Sequence, residues 1–171
     1  MKKIVLFGNS IYAESVYFSL RYDSSFEVVG FTVDQEYIGD NTLSGLPVVP
    51  FENVESTFPP AEHQMFLALS FQRLNRLREE KYYQAKAKGY KFITYISSKT
   101  TTWPGLIIGD NCLASEYTTI GPRVEIGNNV TIGPNVTIGH HVVIKDHCFI
   151  SAGVVILGGV TVGPYCLIGA S

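Results

Sequence analysis

The sequence is short of cysteine, of charge and of long apolar runs, and each shortage excludes a class of protein. Three cysteines in 171 residues are too few for a disulfide framework and fit a reducing compartment. Charged residues make up 16% and the formal net charge is -2, so we expect no basic surface that could bind nucleic acid or an anionic membrane. No apolar run reaches the ~18 residues of a membrane helix, and the first run stops at Gly8, too early for a signal peptide. With 46% hydrophobic residues, we expect a folded cytoplasmic protein without a nucleic-acid partner or membrane insertion.

Two parts of the chain differ in composition. Residues 1–107 carry 11 basic and 11 acidic side chains, and residues 108–171 carry only six charged ones. The first part alternates strand-like and helix-like patterns. Strands are predicted at 3–7, 27–33, 65–69 and 92–96, and helices at 11–22 and 72–88. This order predicts a small parallel α/β domain.

The second part is a six-residue repeat. Written in sixes from Ile108, the first position is isoleucine or valine in ten of eleven hexads, the second is most often glycine and the fifth is small and apolar. No helix has this period, but a chain can wind as a three-sided coil of short strands that pairs with the next coil at about 4.8 Å. The cysteines all occupy fifth positions, so we expect them to be inward fillers and neither catalytic thiols nor metal ligands: Cys112, Cys148 and Cys166.

Taken together, these segments resemble the bacterial hexapeptide-repeat sugar acyltransferases, which include UDP-4-amino-sugar N-acetyltransferases and sialic acid O-acetyltransferases. The resemblance rests on K-I-V-L-F-G-N-S at 3–10, V-V-G-F-T-V-D at 28–34, G-L-P-V at 45–48 and the hexads that follow. It implies a Rossmann-like nucleotide-sugar-binding domain over residues 1–95 and a left-handed parallel β-helix over 96–171. It also implies a homotrimer that transfers acetyl from acetyl-CoA to a nucleotide-linked sugar in surface-glycan synthesis, to an amino group rather than a hydroxyl.

Candidate substrate-binding residues follow the predicted strands of the first part. The loop from Gly8 to Ala13 is a G-x-S-x-x-A version of the glycine-rich turn that lets backbone N–H groups approach a pyrophosphate. Asp34 ends a strand, where its carboxylate could bind a ribose hydroxyl or a base N–H, or could simply close a turn. Ser70 lies at the carboxyl edge of the sheet, where ligands bind, but could equally cap a helix. The full set is Gly8, Asn9, Ser10, Tyr12, Asp34, Ser70, Phe71 and Asn75.

Candidate catalytic residues lie in the repeat. His140 and His141 occupy third and fourth hexad positions, which face outward, so each could be a general base or an ordinary solvent-exposed histidine. The resemblance implies that His140 is the base, and Gly158 stands 18 residues, or three hexads, after it. The matching glycine in the family gives its N–H to the oxyanion. The predicted catalytic set is His140, His141 and Gly158, and the predicted acetyl-CoA contacts are Phe149, Gly158 and Gly159.

Three features depart from the family pattern. His141 replaces the acidic residue that usually follows the base, so a carboxylate partner could instead be Asp146, Glu125 or a side chain of a neighbouring subunit. Phe149 replaces a second histidine. The chain stops at Ser171, four residues into a hexad and without a polar cap, so we expect a truncated coil and an incomplete coenzyme site.

Two other functions compete with acetyl transfer. A noncatalytic nucleotide-sugar-binding or scaffold protein is favoured by the same three departures. A trimeric zinc enzyme of the γ-carbonic anhydrase kind could use the same coil, but its H-x4-H spacing is missing here, so no metal site is expected.

Overall fold

Two units make up the computed structural model, which describes residues 2–170. The first consists of residues 2–69 and 81–93, and the second of residues 70–80 and 94–170. The later division falls after Ile93, and the segment 70–80 belongs to the second unit. Ser171, on which the prediction of a truncated coil depends, lies outside the described residues.

The first unit is built around a five-stranded sheet. Its elements are β1 (Lys2–Phe7), α1 (Ile11–Asp23), β2 (Phe26–Val33), β3 (Thr42–Leu43), β4 (Leu46–Pro50), β5 (His63–Leu67) and the part of α2 (Arg76–Ala87) that starts at Lys81. The sheet order is β3-β4-β2-β1-β5, and all its strand pairs are parallel except β3 with β4. The last four residues of β1 are buried, as expected for a central strand of a parallel sheet whose two faces are both covered by packed chain.

The second helix begins later than the sequence predicts. Arg73, Leu74 and Asn75 have φ angles of 52°, 51° and 66°, and this left-handed turn cannot continue into a right-handed helix. The helix α2 therefore starts at Arg76 and not at residue 72, so Ser70 cannot cap it. The strand predicted at 92–96 is also divided, since Phe92 forms only an isolated bridge to Met65. Neither helix is long and apolar enough to cross a membrane, and the described residues contain no other that is.

The second unit contains a coil of very short parallel strands. They are β6 (Tyr95–Ile96), β7 (Ile107–Ile108), β8 (Leu113–Ala114), β9 (Thr119–Ile120), β10 (Glu125–Ile126), β11 (Thr131–Ile132), β12 (Thr137–Ile138), β13 (Val143–Ile144), β14 (Phe149–Ile150), β15 (Val155–Ile156), β16 (Thr161–Val162) and β17 (Leu167–Ile168). The three faces are the sheets β16-β13-β10-β7, β17-β14-β11-β8-β6 and β15-β12-β9. Ile138 pairs with Ile156, which is three hexads later. These parallel faces and the hexad repeat fit a left-handed parallel β-helix.

The interior of the coil is filled by the first and fifth hexad positions. Ile120, Ile132 and Ile138 are almost completely buried in one continuous apolar cluster. The predicted inward position is confirmed for two of the cysteines: burial raises the pKa of the Cys112 thiol to about 12 and that of Cys148 to about 11. Both therefore remain protonated and unreactive at neutral pH.

Each corner of the coil has a left-handed residue at the fourth hexad position. These residues are Asn111, Tyr117, Arg123, Asn129, Asn135, His141, His147, Gly153, Gly159 and Tyr165. The second-position glycines serve another purpose, close approach of one coil to the next. A Cβ atom on Gly139 would lie 2.5 Å from the backbone nitrogen of Gly158, so a larger residue there would push the coils apart.

Candidate functional site

The His140 side chain lies directly against Gly158 at one corner of the coil. His140 follows β12 and Gly158 follows β15, and the N–H of Gly159 donates to the His140 carbonyl oxygen at 2.9 Å. A Cβ atom built on Gly158 would lie 2.6 Å from Nε2 of His140, so only glycine leaves room for the imidazole in this position. The predicted register of residues 140 and 158 is confirmed, and it leaves His140 exposed to solvent on one side.

His141 contacts His140 through ring nitrogens. The two Nδ1 atoms are 3.1 Å apart, and the ring planes are nearly perpendicular, at 86°. His141 has a φ of 58°, the left-handed conformation of the corner, and it is held there by its N–H bond to the carbonyl oxygen of Pro122. At this distance one Nδ1 must carry a proton and the other must accept it.

The Gly158 N–H is a free donor beside His140. Two other third-position N–H groups, those of Asp110 and Asn128, donate to a side chain 18 residues further on, and the bond from Asn128 to Asp146 Oδ1 is 2.8 Å long. Within residues 2–170 the N–H of Gly158 makes no hydrogen bond. Gly158 and Gly159 are both exposed, so a ligand carbonyl could reach this donor.

Phe149 does not lie at the His140 corner. It projects outward from β14, on the face of the coil that does not border that corner, and it is only 9% exposed. The ring of Phe71 packs against it edge-on, with centroids 5.4 Å apart, and the Arg78 guanidinium lies 5.9 Å from its centroid. The structure therefore does not bring this predicted acetyl-CoA contact together with His140, Gly158 and Gly159.

The glycine-rich loop of the first unit is held in a defined shape. Gly8 has a φ of 132°, and a Cβ atom on it would lie 2.6 Å from the carbonyl oxygen of Ala68, so only glycine fits. The side-chain amide of Asn9 donates to the Tyr37 carbonyl at 2.8 Å. Ser10 is the N-cap of α1 and its Oγ accepts from an N–H in the first turn, while Tyr12 is half-buried in that turn. Asn9 and Ser10 therefore hold the loop, and the exposed helix N-terminus remains suited to an anion.

Asp34 forms an ion pair that the sequence did not reveal. Its Oδ1 accepts from Lys81 Nζ at 2.7 Å, and the two side chains are 19% and 8% exposed. A cleft of about 750 Å³ opens here, lined also by Phe51, Glu52 and Gln84. No feature of the sequence predicts that Lys81 is buried in an ion pair, because a lysine on a charged helix is ordinarily exposed to solvent.

The remaining substrate candidates belong to the second unit. Ser70 is half-buried, and Phe71 packs on Phe149. Asn75 is fully buried, and its amide donates to the carbonyl oxygens of Tyr165 at 3.3 Å and Cys166 at 3.2 Å. These contacts tie Asn75 to a corner of the coil, so its amide group is not presented to solvent.

Comparison with known families decides the nature of the coil. Residues 105–140 and 141–171 match the family described as bacterial transferase hexapeptide (six repeats). These residues make up most of the coil, so the coil carries the hexapeptide repeat that this family model describes. No curated protein sequence matches the chain significantly.

Solved structures similar to this chain cover almost its whole length. The acetyltransferase domain of PglB from Neisseria gonorrhoeae FA1090 is 16% identical with a TM-score of 0.70, covering 100% of this chain and 93% of that one. WeeI from Acinetobacter baumannii AYE is 21% identical with a TM-score of 0.69, covering 98% and 92%. A mutant of perosamine N-acetyltransferase from Caulobacter crescentus, in complex with CoA and GDP-perosamine, is 18% identical with a TM-score of 0.59, covering 99% and 89%. At these identities the likeness establishes a shared fold.

A buried polar ladder that was not predicted from the sequence runs along another corner of the coil. The Asn129 Oδ1 accepts from Asn111 Nδ2 at 2.7 Å and from Arg78 Nη2 at 3.0 Å. Since that oxygen faces two donors, the amide nitrogen of Asn129 must point to His147 Nδ1, 2.8 Å away. The ring of Tyr165 stacks on His147, with centroids 5.3 Å apart. The spacing of 18 residues between these corner positions is the signal that could have found the ladder.

Stability should fall in mild acid because of His147. Burial lowers the pKa of His147 below its ordinary value of 6.5, outweighing the opposing effect of Glu79 and Asp146, and Arg78 and Arg76 lower it further. The unfolded chain therefore takes up a proton near pH 6.5 that the folded chain resists, so the free energy of unfolding decreases as pH drops below that value. Urea unfolding between pH 7.5 and pH 5 measures this decrease.

The matched variant is His147→Asn, which extends the asparagine ladder and does not titrate. We expect a shallower decrease for this variant over the same pH range, because it lacks the His147 imidazole. The other three histidines, His63, His140 and His141, are the same in both proteins. Equal pH dependence in the two proteins would contradict the assignment.

Proposed function

We propose that the chain is an acetyl-CoA-dependent N-acetyltransferase that acts on an amino group of a nucleotide-linked sugar, with a hydroxyl group as the less suited acceptor. The observation that carries the proposal is the His140 imidazole lying against Gly158 in a hexapeptide coil. The PglB domain and perosamine N-acetyltransferase are acetyltransferases of the same fold, and the latter holds CoA and GDP-perosamine. This supports acetyl-CoA as co-substrate and a nucleotide sugar as acceptor.

In the proposed reaction, His140 and Gly158 act on the two reacting groups. Nε2 of His140 accepts a proton from the sugar amine while the amine nitrogen attacks the carbonyl carbon of the thioester. The Gly158 N–H donates to the oxygen that becomes negatively charged. The tetrahedral intermediate collapses with cleavage of the C–S bond, and the proton on His140 passes to the departing CoA thiolate. The products are the acetamido sugar and free CoA.

The first unit is proposed to be a Rossmann-like domain that binds the nucleotide. Its four parallel strands are ordered β4-β2-β1-β5, which is the 3-2-1-4 order of the first half of such a sheet. In this order the ligand crevice lies beside the first strand, where the Gly8 loop and the N-terminus of α1 are placed. Gly8, Asn9, Ser10 and Tyr12 would contact or shape a pyrophosphate site. Asp34 would contact the nucleoside, with Lys81 fixing the orientation of its carboxylate.

A homotrimer is the proposed assembly. Next to Gly158 the coil exposes three apolar side chains, Val155 at 62%, Leu157 at 72% and Val160 at 40%. Such a patch favours contact with another protein surface. A second copy covering it would also exclude water from the corner that carries His140 and Gly158.

The decisive experiment incubates the purified chain with acetyl-CoA and UDP-, dTDP- or GDP-linked amino sugars. Mass spectrometry of the sugar reports gain of one acetyl group, and each sugar carrying a hydroxyl in place of the amine is the control. We expect acetylation of at least one amino sugar and little or none of its hydroxyl counterpart. Thermal stabilisation by a nucleotide sugar without any transfer would instead support a noncatalytic binding protein.

A further inference from the structure

The contact between His140 and His141 restricts where protons can sit. Their Nδ1 atoms are 3.1 Å apart, so in the neutral pair one proton lies between them and belongs to one ring. If both nitrogens carried protons, two N–H groups would face each other across the contact. The neutral pair therefore has two arrangements, which differ in the nitrogen of His140 that is left with a lone pair.

Only one arrangement suits the geometry at Gly158. Nε2 of His140 is the nitrogen that lies over Gly158, so it is the nitrogen facing the reacting groups. For this nitrogen to accept a proton, the ring must carry its own proton on Nδ1. The Nδ1–H must then donate to Nδ1 of His141, which holds its proton on Nε2.

We infer that His141 is the positioning residue of this site: its neutral Nδ1 accepts the Nδ1–H of His140 and so keeps Nε2 of His140 free to take the proton of the sugar amine. The inference rests on the acetyl transfer proposed above, and it assigns to a neutral imidazole the tautomer-fixing function that a carboxylate serves in other histidine bases. During transfer the amine proton goes to Nε2 and later to the CoA thiolate. The proton on Nδ1 of His140 stays in its hydrogen bond to Nδ1 of His141 throughout the reaction.

The corner conformation provides a matched series of variants. The fourth hexad position is occupied elsewhere by Asn111, Asn129, Gly153 and Gly159 in the same left-handed conformation. His141→Gly therefore removes the acceptor without straining the backbone, and His141→Asn supplies a neutral oxygen acceptor. Asn135→Gly makes the same kind of change at an exposed corner that does not include His140.

The first test reads the tautomer in the substrate-free protein. Long-range ¹H–¹⁵N spectra of the full chain with ¹⁵N-labelled histidine, recorded at pH 8, distinguish protonated from bare ring nitrogens. We expect a bare Nε2 and a protonated Nδ1 for His140, the reverse for His141, and a shift of His140 toward the Nε2–H form in His141→Gly. A protonated Nε2 on His140 in the unmodified chain, or an unchanged tautomer in His141→Gly, would overturn the inference.

The second test measures kcat and KM separately. Loss of one hydrogen bond of about 1 kcal/mol should lower kcat about 5-fold in His141→Gly and leave KM within about two-fold, while His141→Asn recovers most of the loss. Asn135→Gly should keep the kcat of the unmodified chain. Equal kcat in His141→Gly would overturn the inference and leave the proposed function standing. Absence of transfer by every variant and by the unmodified chain would reject the proposed function, and the spectra would still decide the tautomer.

Discussion

Replacing His140 with alanine is expected to lower kcat for acetyl transfer by about 100-fold or more, with KM for the nucleotide sugar nearly unchanged. The imidazole lies against Gly158 and is the base that would take the amine proton, so its removal affects the transition state and not the binding of the ground state. Steady-state kinetics with the best substrate of the nucleotide-sugar panel measures the change. A variant with the kcat of the unmodified chain would refute the assignment of His140 as the base.

The variant should fold as well as the unmodified chain. His140 does not have a positive φ, and alanine already stands at the same hexad position in Ala152. The His140 side chain is exposed, so its removal leaves no cavity. Urea unfolding should therefore give the same free energy of unfolding for both proteins, which separates a chemical defect from a structural one.

Replacing Asn129 with alanine is expected to lower the free energy of unfolding by about 4 kcal/mol. Its amide bonds to three groups at a buried corner, namely Asn111 Nδ2, Arg78 Nη2 and His147 Nδ1. Alanine takes away a partner from each of them, and a buried polar group without its partner costs about 1 to 3 kcal/mol. Urea unfolding at pH 7.5 measures the loss.

Asn135→Ala is the control for the backbone. Asn135 has a φ of 58° against 56° for Asn129, so alanine is equally strained at both positions. Asn135 is exposed and its variant should lose only about 1 kcal/mol, the cost of an alanine in the left-handed region. Similar losses in the two variants would mean that the polar ladder contributes little to stability.

The hexad pattern was sufficient to predict the geometry at His140. A period of six fixes which residues share a corner, because three hexads complete one turn and the backbone pairs with itself one turn later. The pairing of Ile138 with Ile156 therefore follows from counting, and so does the position of Gly158. Counting does not predict the chemical roles of His140 and Gly158, which the kinetic measurements test.

Several contacts could not be predicted, and each depends on parts of the chain that are distant in sequence. Phe149 looks like any outward residue of a strand, yet Phe71 covers it because the segment 70–80 packs on that face. Asp34 and Lys81 are 47 residues apart, and neither has a local signal for pairing. The left-handed corners were missed for a different reason: tyrosine, arginine and histidine rarely adopt that conformation, and the repeating backbone imposes it on them.

The pairing of each coil with the next has an evolutionary consequence. His140 and Gly158 come from consecutive turns, so duplication or loss of a complete turn elsewhere in the coil leaves their arrangement intact. Insertion of a single residue between them would instead carry the glycine away from the corner and put a bulkier neighbour over the imidazole. The number of turns in the coil can therefore change during evolution, whereas the number of residues between His140 and Gly158 has to stay the same.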